Sequence, residues 1–183
     1  MNRYIGALAA LALVLACTPD DRSAARPECA EQWHAEWALD SALSLCVPPG
    51  FEQRRDASSI FVRTHDYITR DFLTLYLDPR SLWDEDVPGR RWPPSLPARP
   101  CTLPDCGFTD SLTLHVDTVA GVAGNVYVGL FTGGFAGVQR KPRLSAGWEL
   151  PDERRLEAHA FSEVPATLDT IRMALRTIRV APR

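Results

Sequence analysis

The sequence predicts an α+β fold: mainly antiparallel β-sheet with a short N-terminal helix and a C-terminal amphipathic helix packed on it. Three observations carry this. Several short segments between residues 42 and 161 alternate apolar and polar side chains with the period of a strand. Turn-forming residues punctuate them, notably Pro48-Pro49-Gly50 and Pro151-Asp152-Glu153. Near the end, Val164, Leu168, Ile171, Leu175 and Ile178 recur at spacings of 4, 3, 4 and 3, which is one apolar face of a helix.

The elements follow in chain order. Glu31 to Asp40 is predicted as the short N-terminal helix, with Trp33 and Trp37 on one face at i, i+4 spacing and packed against the sheet. Ala42 to Val47 places Leu43, Leu45 and Val47 on one side of a strand that Pro48-Pro49-Gly50 stops. In Ser58 to Thr64, Ile60 and Val62 alternate with Phe61 and Arg63. In Asp71 to Leu77, Leu73, Leu75 and Leu77 alternate with Phe72, Thr74 and Tyr76. Leu112, Leu114 and Val116 alternate with Thr113, His115 and Asp117. Val122 to Phe131 is apolar on both faces, the mark of a central strand. Leu144 to Leu150 and Arg155 to Phe161 flank Pro151-Asp152-Glu153 as a hairpin. Pro165 suits the first turn of the closing helix, and Thr177 to Val180 returns as a short last strand.

Composition bounds the function. The chain has 183 residues, 20 Lys+Arg against 23 Asp+Glu, a net charge of -3, 45% hydrophobic and 23% charged residues. Collagen-like, coiled-coil and disordered classes are excluded. A near-neutral balance excludes a chain built mainly to grip nucleic acid. A chain of this length makes one domain that buries roughly 70% of its unfolded surface.

The first 16 residues are an address. Arg3 precedes an apolar run from Ile5 to Ala16, too short to span a bilayer but fit for a secretory signal peptide. The run closes on Val14-Leu15-Ala16-Cys17, which resembles the lipobox of bacterial lipoproteins. That resemblance implies cleavage before Cys17, a diacylglycerol on its thiol and a further acyl chain such as palmitate on the new amino group. A thiolate is the nucleophile such a transfer needs, and two or three acyl chains hold a protein firmly in a membrane. Thr18 in place of aspartate favours, by the same resemblance, the outer membrane where one exists. The expected organisation is a signal peptide at 1–16, a polar lipidated tether at 17–28, and a single α+β domain at 29–183 facing away from the cytoplasm. Ordinary secretion with cleavage after Ser23-Ala24-Ala25 is the alternative.

Cysteine arithmetic agrees with an envelope address. Setting Cys17 aside leaves Cys29, Cys46, Cys101 and Cys106, an even number in an oxidising compartment. Three pairings are possible, and proximity favours Cys29–Cys46 and Cys101–Cys106. Cys101 and Cys106 lack a second thiol or histidine pair that would complete a metal site, so no metal and no cofactor is expected.

The order of elements also resembles the PsbP-like α/β/α fold of many small secreted or envelope proteins. The resemblance rests on Leu45-Cys46-Val47-Pro48-Pro49-Gly50-Phe51, the meander, and the late helix running into Arg176-Thr177-Ile178-Arg179-Val180, over roughly residues 36–181. It implies an assembly or interaction factor and carries over no catalytic residue.

Candidate sites follow from what the fold leaves unexplained. The stretch 79–104 holds seven of the 15 prolines together with Trp83, Arg90, Arg91 and Trp92. Tryptophan and arginine are favoured at binding hot spots, and long loops in compact domains are often functional, so these four residues form a candidate partner-binding loop. The loop's aromatics folding back onto the domain is the other reading. Thr118 to Gln139 is uncharged, and Gly129, Gly133 and Gly137 sit four apart. A glycine-zipper membrane helix over 119–138 is therefore one reading and a β-hairpin the other. Histidines 34, 65, 115 and 159 are scattered, and no His-Glu-x-x-His or Gly-x-Ser-x-Gly motif occurs. The expectation is a non-enzymatic envelope lipoprotein that binds an envelope protein or a small ligand. An extracytoplasmic hydrolase, its groups gathered only by the fold, and a glycine-zipper membrane-associated protein are the alternatives.

Overall fold

The structure is a computed structural model and describes residues 23–65, 70–78, 108–132 and 140–183. These form two antiparallel sheets and one helix. The small sheet has the order β1 (His34–Ala38), β2 (Leu43–Val47), β10 (Arg179–Val180), with β2 in the middle. The large sheet has the order β3 (Glu52–Arg54), β4 (Ala57–Thr64), β5 (Arg70–Leu77), β9 (Arg155–Phe161), β8 (Arg140–Glu149), β7 (Val122–Thr132), β6 (Phe108–Val119). It is two meanders, β3-β4-β5 and β6-β7-β8-β9, joined where β5 pairs with β9. Every pairing is antiparallel, so β5 and β6 run the same way, four strand spacings or about 19 Å apart. Residues 79–107 make that connection and lie outside the described residues.

Helix α1 (Pro165–Leu175) forms where the 3–4 spacing of apolar residues begins, with Pro165 in its first turn. Ser162 Oγ accepts the Val164 N–H at 2.9 Å, just before the helix. Leu168, Ile171 and Leu175 are buried against the inner face of the large sheet, which presents Phe61, Leu73, Leu75, Val126, Leu144, Ala146, Trp148, Leu156, Ala158 and Ala160. The helix also touches β2, all five residues of which are buried. Each leucine sealed in this core contributes roughly 2 kcal/mol. The two sheets are tied at their edges, since Gln53 Nε2 donates to the Trp37 carbonyl at 3.1 Å.

One expectation is corrected, and two segments that the sequence left open take a definite form. Glu31 to Asp40 is not a helix: His34–Ala38 pairs with β2, and Leu39, Asp40 and Ser41 follow at φ of 53°, 53° and 67°. A spacing of four between Trp33 and Trp37 is also a multiple of two, so it fits a strand as well as a helix. In β6 the alternation is present, but the buried members are Asp117 and Val119, while Leu114 and Val116 face outward at 37% and 59% exposure. Finally, Val122–Thr132 is strand β7, hairpinned to β6 through Ala120 and Gly121, so the zipper helix over 119–138 does not form there. No helix among the described residues is long and apolar enough to cross a membrane.

Candidate functional site

Cys29 and Cys46 are bonded, with their Cα atoms 5.4 Å apart. The bridge fastens the chain before β1 to the central strand of the small sheet. Ala24 is buried there, donating its N–H to the Ser41 carbonyl at 2.8 Å and accepting from Trp37 Nε1 at 3.2 Å. Cys17, Cys101, Cys106, Trp83, Arg90, Arg91 and Trp92 lie outside the described residues. Among the described residues no group of His, Cys, Asp and Glu stands close enough to hold a metal ion.

Strand register assembles a polar cluster on the outer face of the large sheet, opposite the helix. Cross-strand neighbours share a face. One row runs Tyr76, Glu157, Gly147, Asn125, and the next runs Thr74, His159, Ser145, Tyr127. The third includes Phe72, Phe161 and Arg143. Ser145, Glu157, Asn125 and Tyr127 are buried.

The contacts within this cluster have a direction. Ser145 Oγ lies 3.2 Å from His159 Nδ1, and Arg143 Nη2 lies 3.4 Å from the same nitrogen. A guanidinium only donates, which makes Nδ1 the acceptor and puts the ring proton on Nε2, 3.8 Å from Glu157 Oε2. Hydroxyl and imidazole therefore stand as a nucleophile and its base would, while 3.8 Å is too long for a hydrogen bond from the ring to Glu157. Arg155 Nε lies 2.9 Å from the other Glu157 oxygen. Tyr76 meets the His159 ring edge-on at 5.8 Å. Burial raises the Tyr127 hydroxyl above the ordinary phenol range, with the Asn125 hydrogen bond opposing it, and burial lowers Arg143. Asn125 Oδ1 and Glu157 Oε2 are buried acceptors that take no hydrogen bond, an arrangement that costs free energy unless a donor reaches them.

The inner face holds two further charge clusters. Asp71, fully buried, accepts from Arg63 Nε at 2.8 Å, from His65 Nε2 at 2.7 Å and from Ser162 Oγ at 2.7 Å. Arg63 continues to Thr167 Oγ1 at 2.9 Å and lies 4.9 Å from the centre of the Phe51 ring. Ser, Asp and His meet here without a nucleophile's geometry, because Ser162 turns to the carboxylate and not to the ring. At the other end Asp117 accepts from Arg172 and Arg176, with Arg172 Nη2 at 2.9 Å and Arg176 Nε at 3.0 Å. Its carboxylate points at the helix, so it forms no relay with His115 along β6. Burial pushes both carboxyls up, but these hydrogen bonds outweigh it and hold both below the usual carboxylate range.

Comparison with protein-family models and with curated proteins finds no match for this chain. The outer-face residues were not singled out by sequence. Their signal was the strand Arg155–Phe161 itself, in which Arg155, Glu157 and His159 alternate with Leu156, Ala158 and Ala160. Such an alternation marks a strand with one apolar face and one polar face.

Proposed function

We propose that this is a lipid-anchored envelope protein whose disulfide-stiffened domain binds an envelope protein or a small ligand and catalyses no reaction. The observation that carries it is an apolar leader closing on Val14-Leu15-Ala16-Cys17, with four cysteines left over. The Cys29–Cys46 bond is consistent with the oxidising compartment this reading requires. The resemblance to PsbP-like interaction factors points the same way. The binding surface in this reading is the segment bearing Trp83, Arg90, Arg91 and Trp92. Mass spectrometry of the mature protein tests the anchor. A Cys17 N-terminus carrying diacylglycerol and a further acyl chain is expected, and Cys17→Ser should leave the leader uncleaved. A mature chain starting at a free amine on Arg26 would overturn it.

A second reading, an extracytoplasmic hydrolase, is favoured by one observation: Ser145 Oγ stands 3.2 Å from His159 Nδ1 on the outer face. A fluorophosphonate probe should then label the native chain at Ser145, and Ser145→Ala should abolish the label. An unlabelled native chain removes this reading.

A further inference from the structure

We infer that strand β6 is a pairing edge for a second copy of this chain, joined antiparallel about a twofold axis through His115. Among the described residues β6 ends the large sheet, with 12 residues against the three of β3 at the opposite edge. An edge strand presents a row of N–H and C=O groups that another extended chain can satisfy, and proteins usually blunt such edges with bulges, proline, lysine or brevity. β6 is irregular only up to Thr113. From Thr113 to Val119 its register against β7 is unbroken, and it contains neither proline nor lysine. Its one charge there, Asp117, is turned inward and neutralised by Arg172 and Arg176. On the outer face the same stretch exposes Leu114 and Val116, two of the large hydrophobic side chains most open to water among the described residues.

The pattern is self-complementary, which selects a second copy as the occupant. With His115 on the axis, Leu114 stands opposite the second copy's Val116, and Val116 opposite the second copy's Leu114. Both exposed apolar side chains are then covered by each other, and no like charges meet. A twofold contact of this kind uses one patch twice and closes on itself, so it ends at a dimer. The inference is independent of the lipid anchor and of any chemistry on the outer face.

Cysteine crosslinking in whole cells expressing the full-length chain, with copper phenanthroline as oxidant, tests it wherever in the cell the chain resides. Antiparallel partners directly opposite have Cα atoms about 4.5–5.5 Å apart, within disulfide reach. His115→Cys should therefore yield a reductant-sensitive band at twice the chain mass. Thr118→Cys should not, because its two copies would lie about 20 Å apart in this register. Val116→Lys, at a position already 59% exposed, should reduce the His115→Cys crosslink about tenfold or more, which corresponds to about 1.4 kcal/mol. The inference fails if His115→Cys gives no dimer, if it crosslinks to a chain of another mass, if Thr118→Cys or the wild type crosslinks equally well, or if Val116→Lys leaves the yield unchanged.

Discussion

Asp71 and Asp117 sit on the inner face of an antiparallel sheet, where a carboxylate is stable only if its charge is met and its lone pairs are filled. Both are met by arginines. Asp71 has three donors on four accepting sites and side-chain exposure of 0%. Breaking such a pair costs more than the pair contributes, because the surviving charge stays where water cannot reach it fully. Asp71→Asn leaves Arg63 in that position, though with 26% of its side chain still exposed. A loss of about 3 kcal/mol is therefore expected, at the low end of the range for broken buried pairs. Urea unfolding monitored by tryptophan fluorescence measures it. The contrasting variant is Asp56→Asn, whose partner Arg54 is also on the surface. It should leave the midpoint where it is, since water screens that pair. Equal effects from the two variants would mean that burial does not govern the Asp71 pair.

At the scale of elements, the small sheet depends on covalent and polar ties more than on length. β1 and β2 have five residues each and β10 has two. The Cys29–Cys46 bond closes a loop of sequence separation 17, and a loop of this size contributes about 3 kcal/mol on the chain-entropy account. Replacing both cysteines by serine should lower Tm by about 6–12 °C. Calorimetry checks this, and an unchanged Tm would place the small sheet's stability wholly in its packing. These elements also show where sequence was legible. β2, β4, β5, the β8–β9 hairpin and α1 could be read because local periodicity and local burial agree in them. β1 could not, because two tryptophans four apart satisfy both periods. In β6 the buried residue is Asp117, whose partners Arg172 and Arg176 stand 55 and 59 residues away. A period of two reveals an alternation and not which side meets the core. The outer-face site was hidden for a similar reason. Ser145 and His159 are neighbours only through the β8–β9 register, and each taken alone is an ordinary polar residue on a strand.

Across the whole molecule the two carboxylates clamp the helix from opposite ends. Asp71 reaches α1 through Arg63 and Thr167 near its start, and through Ser162 just before it. Asp117 holds Arg172 in the last turn and Arg176 just beyond it, and so fastens edge strand β6 to the helix. Both carboxyls lie below their ordinary range in the folded chain. The unfolded chain therefore binds protons first as pH falls. The stability each acid contributes is complete above the unfolded carboxylate pKa of about 3.9 and drains away as pH drops through the folded value. Loss of stability should begin near pH 5 and steepen below pH 4, with each acid adding at most about 1.4 kcal/mol per pH unit to the slope. Chemical unfolding in a series from pH 7 to pH 3 measures it. Asp117→Asn should be less stable than the native chain at pH 7 yet show a shallower acid slope, because it has one proton fewer to gain on unfolding. If the variant's slope matches the native one, Asp117 is not part of what makes the fold sensitive to acid, and the clamp on the β6 end of the helix owes its strength to contacts other than charge.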